Sequence, residues 1–236
     1  MITLALDSTA KIASVAVLDG TRVLGEYTID NGLTQSELLL PMAEGLLGTL
    51  GLTFSDVGMY AVAVGPGSFT GVRIGVSLVK GLAFGKDIPC VAVSTLEALA
   101  ENLSGLCGIA LPCMDARRAQ VYNAIFKSEE VGTHRLTPDR AISLSQLAEE
   151  LREYEGTPIY ISGDGYDIAY KALGECGIEI KKTPRGIIGA SAVSVGRVAQ
   201  RMYERGEYVS AAELSPTYLR LPQAERERLE KLRANN

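Results

Sequence analysis

The chain has 236 residues, 47% of them hydrophobic, and a net charge of −5. That apolar content supports one or two packed cores and excludes a chain that is disordered throughout. The acidic balance, with no Trp and only four Phe, excludes a protein that grips nucleic acid unaided, because holding phosphates takes a basic surplus and holding single strands takes stacking rings.

Residues 2–6 predict a buried strand that ends at Asp7, and the alternation over 12–18 predicts a second. Asp19-Gly20 is a hairpin signal, and residues 23–29 return as a third strand, so the chain opens with an antiparallel meander. Over 34–50, Leu38, Leu39, Met42, Leu46, Leu47 and Leu50 share one helical face. Ser36 and Glu37 suit that helix's first turn, and Gly51 closes it. A short strand over 60–64 runs into Gly65-Pro66-Gly67, followed by a helix over 70–84, a strand over 90–93 and a helix over 95–103. The order β-β-β-α-β-α-β-α predicts an α/β fold with a mixed sheet covered by helices. It is the order found in ribonuclease-H-like domains, including those of the actin and sugar-kinase superfamily.

The second half predicts strands over 108–114 and 121–126, with Asp115-Ala116-Arg117-Arg118 as the turn between them. A helix over 143–154 starts from a Ser cap, and a strand over 158–162 leads through Gly163-Asp164-Gly165 into a helix over 166–173. A last helix covers 190–204, and the charged tail from Pro222 reads as a solvated or frayed helix. No repeat or linker divides the chain. The expectation is two closely joined lobes: residues 1–105, joined by the helix at about 190–205, and a reduced lobe over 106–236.

Cys90, Cys107, Cys113 and Cys176 form no CxxC pair and lie in or beside apolar segments, which predicts buried thiols rather than a zinc site. His134, the sole histidine, sits in a polar stretch and reads as a surface residue. The first residues carry no basic leader, and no apolar run approaches the ~18 residues of a spanning helix. A cytoplasmic protein with no membrane contact is expected.

The stretch from Gly65 to Gly75 follows a strand and opens a helix, which is where phosphate-binding loops occur. Its spacing departs from both common templates. Position 70 is Thr where a dinucleotide fingerprint needs Gly, and Lys80 is followed by Gly81 where a phosphate loop needs Ser or Thr. Gly71 and Gly75 share a helical face, with Ser68 at its entry. A helix-interior Gly costs ~1 kcal/mol relative to Ala, so a compensating contact is expected. Two remain open: close packing on the chain's own sheet, or close approach of a second helix, with Ile74, Leu78 and Leu82 adding apolar contact. The second predicts that Gly75→Arg abolishes association.

Asp7-Ser8-Thr9 ends the first strand. A two-metal nuclease would need further acids, but the fourth strand ends Val64-Gly65 and Glu37 alone completes no cluster. Gly163-Asp164-Gly165 suits either a nucleotide-facing turn or a plain Asp-Gly turn. Arg117 with Arg118, Lys181 and Lys182 with Arg185, and Arg197, Arg201 and Arg205 are local basic patches. The last set, at four-residue steps, reads as a solvated or ion-paired helix face.

Four stretches, in order, resemble the TsaB (YeaZ) family: Leu-Ala-Leu-Asp-Ser-Thr at 4–9, the glycine stretch at 65–75, Asp-Ala-Arg-Arg at 115–118 with Val121-Tyr122, and Tyr218-Leu219-Arg220. The resemblance implies a two-lobed actin-like fold without catalytic activity. It implies a subunit that activates a metal-bearing TsaD-type transferase paralogue, with a TsaE-type ATPase, in moving a threonylcarbamoyl group to N6 of an adenosine in tRNA. It also implies a homodimer when the chain is alone, tRNA contact only through the complex, and no metal or required cofactor, with ATP or ADP at the complex interface. The implied partner surface combines Gln35, Leu38, Leu39 and Met42 of the first helix with Ser68, Phe69, Thr70, Gly71, Arg73, Ile74, Gly75, Leu78 and Leu82. Asp7, Ser8, Thr9, Gly163 and Gly165 would be a vestigial nucleotide site. Gln35 departs from the family, many of whose members carry His there, and Gln is a poor transition-metal ligand. The alternatives are a phosphotransferase of the same superfamily, acting through Asp7 and the glycine turns, and a peptidase.

Overall fold

The computed structural model describes residues 1–220. The first lobe runs β1 (Ile2–Asp7), β2 (Ala13–Asp19), β3 (Arg22–Ile29), α1 (Gln35–Thr49), β4 (Met59–Ala63), α2 (Phe69–Ala83), β5 (Cys90–Val93) and α3 (Thr95–Glu101). Its sheet has the order β3-β2-β1-β4-β5. The tight turn at Gly20, with φ of 56°, keeps β2 and β3 antiparallel, and residues 8–12 reverse the chain between antiparallel β1 and β2, whereas the crossovers through α1 and α2 make β4 and β5 parallel to β1. Leu4, Leu6 and Val62 on one sheet face pack beneath α1 and α2. Ala5, Ala61 and Val91 on the other meet α6 (Ala192–Glu204), which enters from the far end of the sequence.

The second lobe contains β6 (Gly108–Arg117), β7 (Gln120–Asn123), β8 (Phe126–Ser128), β9 (Thr133–Arg135), β10 (Arg140–Ser143), α4 (Leu144–Leu151), β11 (Ile159–Ser162) and α5 (Tyr166–Glu175). Strand β6 is its centre, antiparallel to β7 and β8 and parallel to β11. The fold is thus α/β, two-lobed and actin-like. The predicted strand over 121–126 is split. The Asn123 side chain donates to the carbonyls of Pro112 and Ala124, and Ile125 N donates to Thr137 Oγ1 at 2.8 Å instead of to a ladder partner. Strands β9 and β10 escaped prediction because they are short and lack an apolar alternation. The expected turn at 115–118 also shifts, since β6 runs on through Arg117 and the reversal falls on Arg117, Arg118 and Ala119.

Cys90 and Cys113 are buried, and burial pushes the Cys113 thiol up to about 12. Cys107 and Cys176 are exposed, contrary to expectation, because Cys107 lies in the surface loop just before β6 and Cys176 caps the C-terminal end of α5. His134 is exposed, with Nε2 3.3 Å from Glu129. Arg201 makes a two-pronged pair with the buried Glu101 of α3, and Arg205 pairs with Glu207. Among the described residues no helix is long and apolar enough to cross a membrane.

Beyond α6 the chain returns to the first lobe, so residues 207–217 depart from the span expected for the second. Val209 bridges Cys90, Lys80 Nζ donates to the carbonyls of Ala212 and Leu214, and Thr217 N donates to Val64 O at 2.8 Å. Leu219 and Arg220 then cross to the second lobe, where Leu219 packs by Met114 and Phe126. The tail from Pro222 lies outside the described residues.

Candidate functional site

The centre of the site is the turn between β1 and β2, on which the start of α2 sits directly. A Cβ on Gly67 would lie 2.5 Å from Thr9 O. One on Gly71 would strike the Ser8 carbonyl oxygen, and one on Gly75 would strike Ser8 Oγ and come within 3.3 Å of Val62. Hydrogen bonds close the contact: Ser68 N donates to Thr9 O at 2.7 Å, Ser8 Oγ donates to Gly71 O at 2.9 Å, and Gly71 N donates to Ser68 Oγ at 3.3 Å. Gly71 and Gly75 therefore face the chain's own turn, and the expectation that their missing Cβ atoms admit a second helix is corrected. Gly75→Arg would disrupt this seat and so reports nothing about association. The helix entry is likewise not an open anion site, because a carbonyl oxygen already stands against its amide.

Asp7 is fully buried. Its Oδ1 accepts from Thr9 N at 2.9 Å and Thr9 Oγ1 at 2.7 Å, while Oδ2 has no partner among the described residues. Burial pushes its pKa up; the Thr9 bonds oppose that, and the charge of Asp164 adds to it. Across the lobe junction, Gly163 N donates to Ile188 O at 2.6 Å and Gly165 N to Cys113 O at 3.0 Å. Asp164 Oδ1 accepts from Asp115 N at 3.0 Å, and burial raises the Asp164 pKa. A cleft of about 970 Å³ separates the lobes, lined among others by Thr9, Lys11, Asp115, Gly163, Asp164 and Tyr166. The structure thus brings Thr9 and Gly163 to one cleft but leaves Asp7, Ser8 and Gly165 behind its walls. Among the described residues, no three His, Cys, Asp or Glu side chains group closely enough to hold a metal ion.

Gln35 sits at the start of α1, where Thr34 N donates to Glu37 Oε2 at 2.9 Å. Gln35 Nε2 donates to the carbonyls of Ala10 at 2.9 Å and Lys11 at 3.0 Å. It is a clamp on the central turn. Leu38, Leu39 and Met42 belong to the core beneath α1 and present no free surface, a correction that follows from their packing. The outward apolar positions are Leu40 on α1 and, on α2, Ile74, Leu78 and Leu82, which are half-buried and continue the line of exposed Thr70 at four-residue steps. Exposed Arg73 and half-buried Phe69 border that line and contact Tyr218, at 2.7 Å from Nε to the hydroxyl and 4.8 Å between ring centroids. Sequence reasoning missed the clamp by Gln35 and the crossing by Tyr218-Leu219-Arg220. A donor amide aligned with the turn, and three consecutive large side chains after a proline, were the signals at hand.

The family model "TsaD: tRNA N6-adenosine threonylcarbamoyltransferase" matches residues 34–227. The chain is 34% identical to the tRNA threonylcarbamoyladenosine biosynthesis protein TsaB of Bacillus subtilis, over 95% of this chain and 96% of that one. It is 30% identical to the protein of the same name from Escherichia coli, over 92% and 94%. A solved structure of YeaZ from Pseudomonas aeruginosa superimposes with a TM-score of 0.77 at 26% identity, over 92% of this chain and 99% of that one.

Four outcomes are expected. Gly71→Ala drives a Cβ into a backbone oxygen and should lower the unfolding free energy in urea by about 1–3 kcal/mol. Gly81→Ala, with open space around it, should raise it by about 0.5–1 kcal/mol. Gln35→Glu should destabilise more than Gln35→Ala, since a carboxylate facing two carbonyls cannot donate; thermal melts of the two variants decide. Folded Asp7 holds its proton to higher pH than the unfolded residue, so rising pH above the ordinary value of 3.8 removes stability. Asp7→Asn should therefore raise the melting temperature at neutral pH, and the gain should vanish below that value.

Proposed function

The chain belongs to the TsaB family, and on that premise we propose that it serves in making N6-threonylcarbamoyladenosine in tRNA as a non-catalytic subunit. It docks a TsaD-type transferase paralogue, which brings the catalytic metal, and a TsaE-type ATPase joins them. On its own the chain pairs with a second copy through the same surface. ATP or ADP binds where the chain meets its partner, tRNA is held through the complex, and the setting is the cytoplasm.

The observation that carries this reading is the division of α2 into two faces. Gly71, Val72, Gly75, Val76 and Val79 are buried, whereas Thr70, Ile74, Leu78 and Leu82 form an outer line on α2, and Leu40 is exposed on α1, which packs against α2. Apolar side chains left half-exposed on two adjoining helices suit a partner helix laid along them. The interior of the same region supports a non-catalytic part. Asp7, the carboxylate that a phosphotransferase would need at this strand end, is sealed from solvent and bonded to its own neighbour. Gln35 stands where many members of the family carry His, and its amide is engaged with two carbonyls.

Reconstitution tests the role: purified transferase, ATPase, tRNA and a threonylcarbamoyl donor, with modification measured with and without this chain. Product is expected only when the chain is present. Leu78→Glu should weaken association with the transferase tenfold or more, about 1.4 kcal/mol or above, by light scattering, without unfolding the chain. Unchanged association of a folded Leu78→Glu variant would remove the surface assignment.

A further inference from the structure

Carboxylates are unevenly spread in this acidic chain. Residues 57–86, 116–128 and 214–220 contain none, yet hold seven of its 23 basic residues. The fold sets parts of these three segments side by side. Arg73 uses Nε to donate to the Tyr218 hydroxyl, and the Tyr218 ring, 40% exposed, stacks on Phe69. Two residues on, Arg220 donates to Ala116 O at 3.0 Å and to the Gln120 side chain, with its guanidinium 5.7 Å from the Tyr122 ring centre.

Ala116 and Gln120 flank the tip of the β6–β7 hairpin. Its three residues, Arg117, Arg118 and Ala119, have φ of 62°, 56° and 56°. Three successive non-glycine residues in the left-handed region persist only where the surroundings over-determine them, and such strain gathers at functional sites. Here Arg117 N donates to Asp115 Oδ1 at 2.7 Å, Leu144 N to Ala119 O at 3.4 Å, and Arg220 holds the flank. The tip is fixed in a costly shape that presents an exposed arginine, and the carboxylate beside it is already engaged by the tip's own backbone.

We infer that this seam of Arg73, Arg117 and Arg220, with the Tyr218 ring among them, contacts the phosphodiester backbone of structured RNA; that the RNA is tRNA rests on the function proposed above. Arginine forks match phosphate oxygens, and the part-exposed Tyr218 ring, with the Arg73 guanidinium 5.6 Å from its centre, offers ribose or base an aromatic contact that an acidic polypeptide does not use. The net charge of −5 opposes any polyanion at long range, so the seam sets register while a partner supplies most of the grip.

The test is fluorescence anisotropy of labelled tRNA with the full chain, alone and assembled with the transferase, at low and physiological salt. Arg117→Gly removes the charge and relaxes the left-handed residue, whereas Arg117→Lys keeps the charge. The glycine variant should melt no lower than the native chain and assemble normally, yet bind tRNA about fivefold more weakly, with a log–log salt slope shallower by about one. The lysine variant should recover most of that loss. Unchanged tRNA affinity in Arg117→Gly overturns the inference, as does an absence of tRNA binding by both chain and complex. Equal competition by poly-glutamate at matched charge also overturns it and assigns the seam to an acidic protein segment. A complex that binds tRNA through the seam but modifies it equally well without this chain overturns the proposed function and leaves the inference standing.

Discussion

Helix α2 meets the turn after β1 with no side chain between the two backbones. Gly67 and Gly71 lie against the carbonyl oxygens of Thr9 and Ser8, and Gly75 lies against the Ser8 hydroxyl. Gly67 precedes the helix, but Gly71 and Gly75 lie within it, where a glycine would ordinarily weaken it by about 1 kcal/mol each. The loss is offset by a contact that only glycine permits, closed by the bonds from Ser68 N to Thr9 O and from Ser8 Oγ to Gly71 O. The first sheet, the lobe cleft and the outer face of α2 all take their positions from this seat.

Two functional consequences follow from the same geometry. Pressing the helix onto the turn fills, with protein backbone, the place where a phosphate could otherwise meet the helix entry, and it seals Asp7 beneath Thr9. It also turns Thr70, Ile74, Leu78 and Leu82 outward. The strap over 214–220 adds a second constraint: through Thr217, Tyr218 and Arg220 it ties the α2 entry to the β6–β7 hairpin of the other lobe.

Much of this was legible in the sequence. The meander and the alternating units of the first lobe follow from apolar period and turn chemistry, because their strands are apolar runs and their helices start from polar caps. The site residues were legible as a set but not in their orientation. Helical spacing places Gly71 and Gly75 on one face without saying whether that face looks in or out, and Leu38, Leu39 and Met42 suffer the same ambiguity. The second lobe was harder. Its strand at 121–126 breaks where the Asn123 side chain captures main-chain carbonyls, a competition that no periodicity records. The strap was illegible because its value lies in contacts more than a hundred residues apart in sequence, such as Arg73 with Tyr218 and Arg220 with Ala116.

The central claim is that the β1 carboxylate is a buried structural group in a subunit that works by docking. Its most direct test is the rate of tRNA modification in the reconstituted complex carrying Asp7→Asn. The amide keeps an acceptor oxygen for the two Thr9 bonds, removes the buried charge and puts an NH2 group where Oδ2 has no partner; because no chemistry is assigned to the carboxylate, a rate equal to that of the native chain is predicted. A large loss of rate with normal assembly would contradict the account, because it would place chemistry at Asp7 itself.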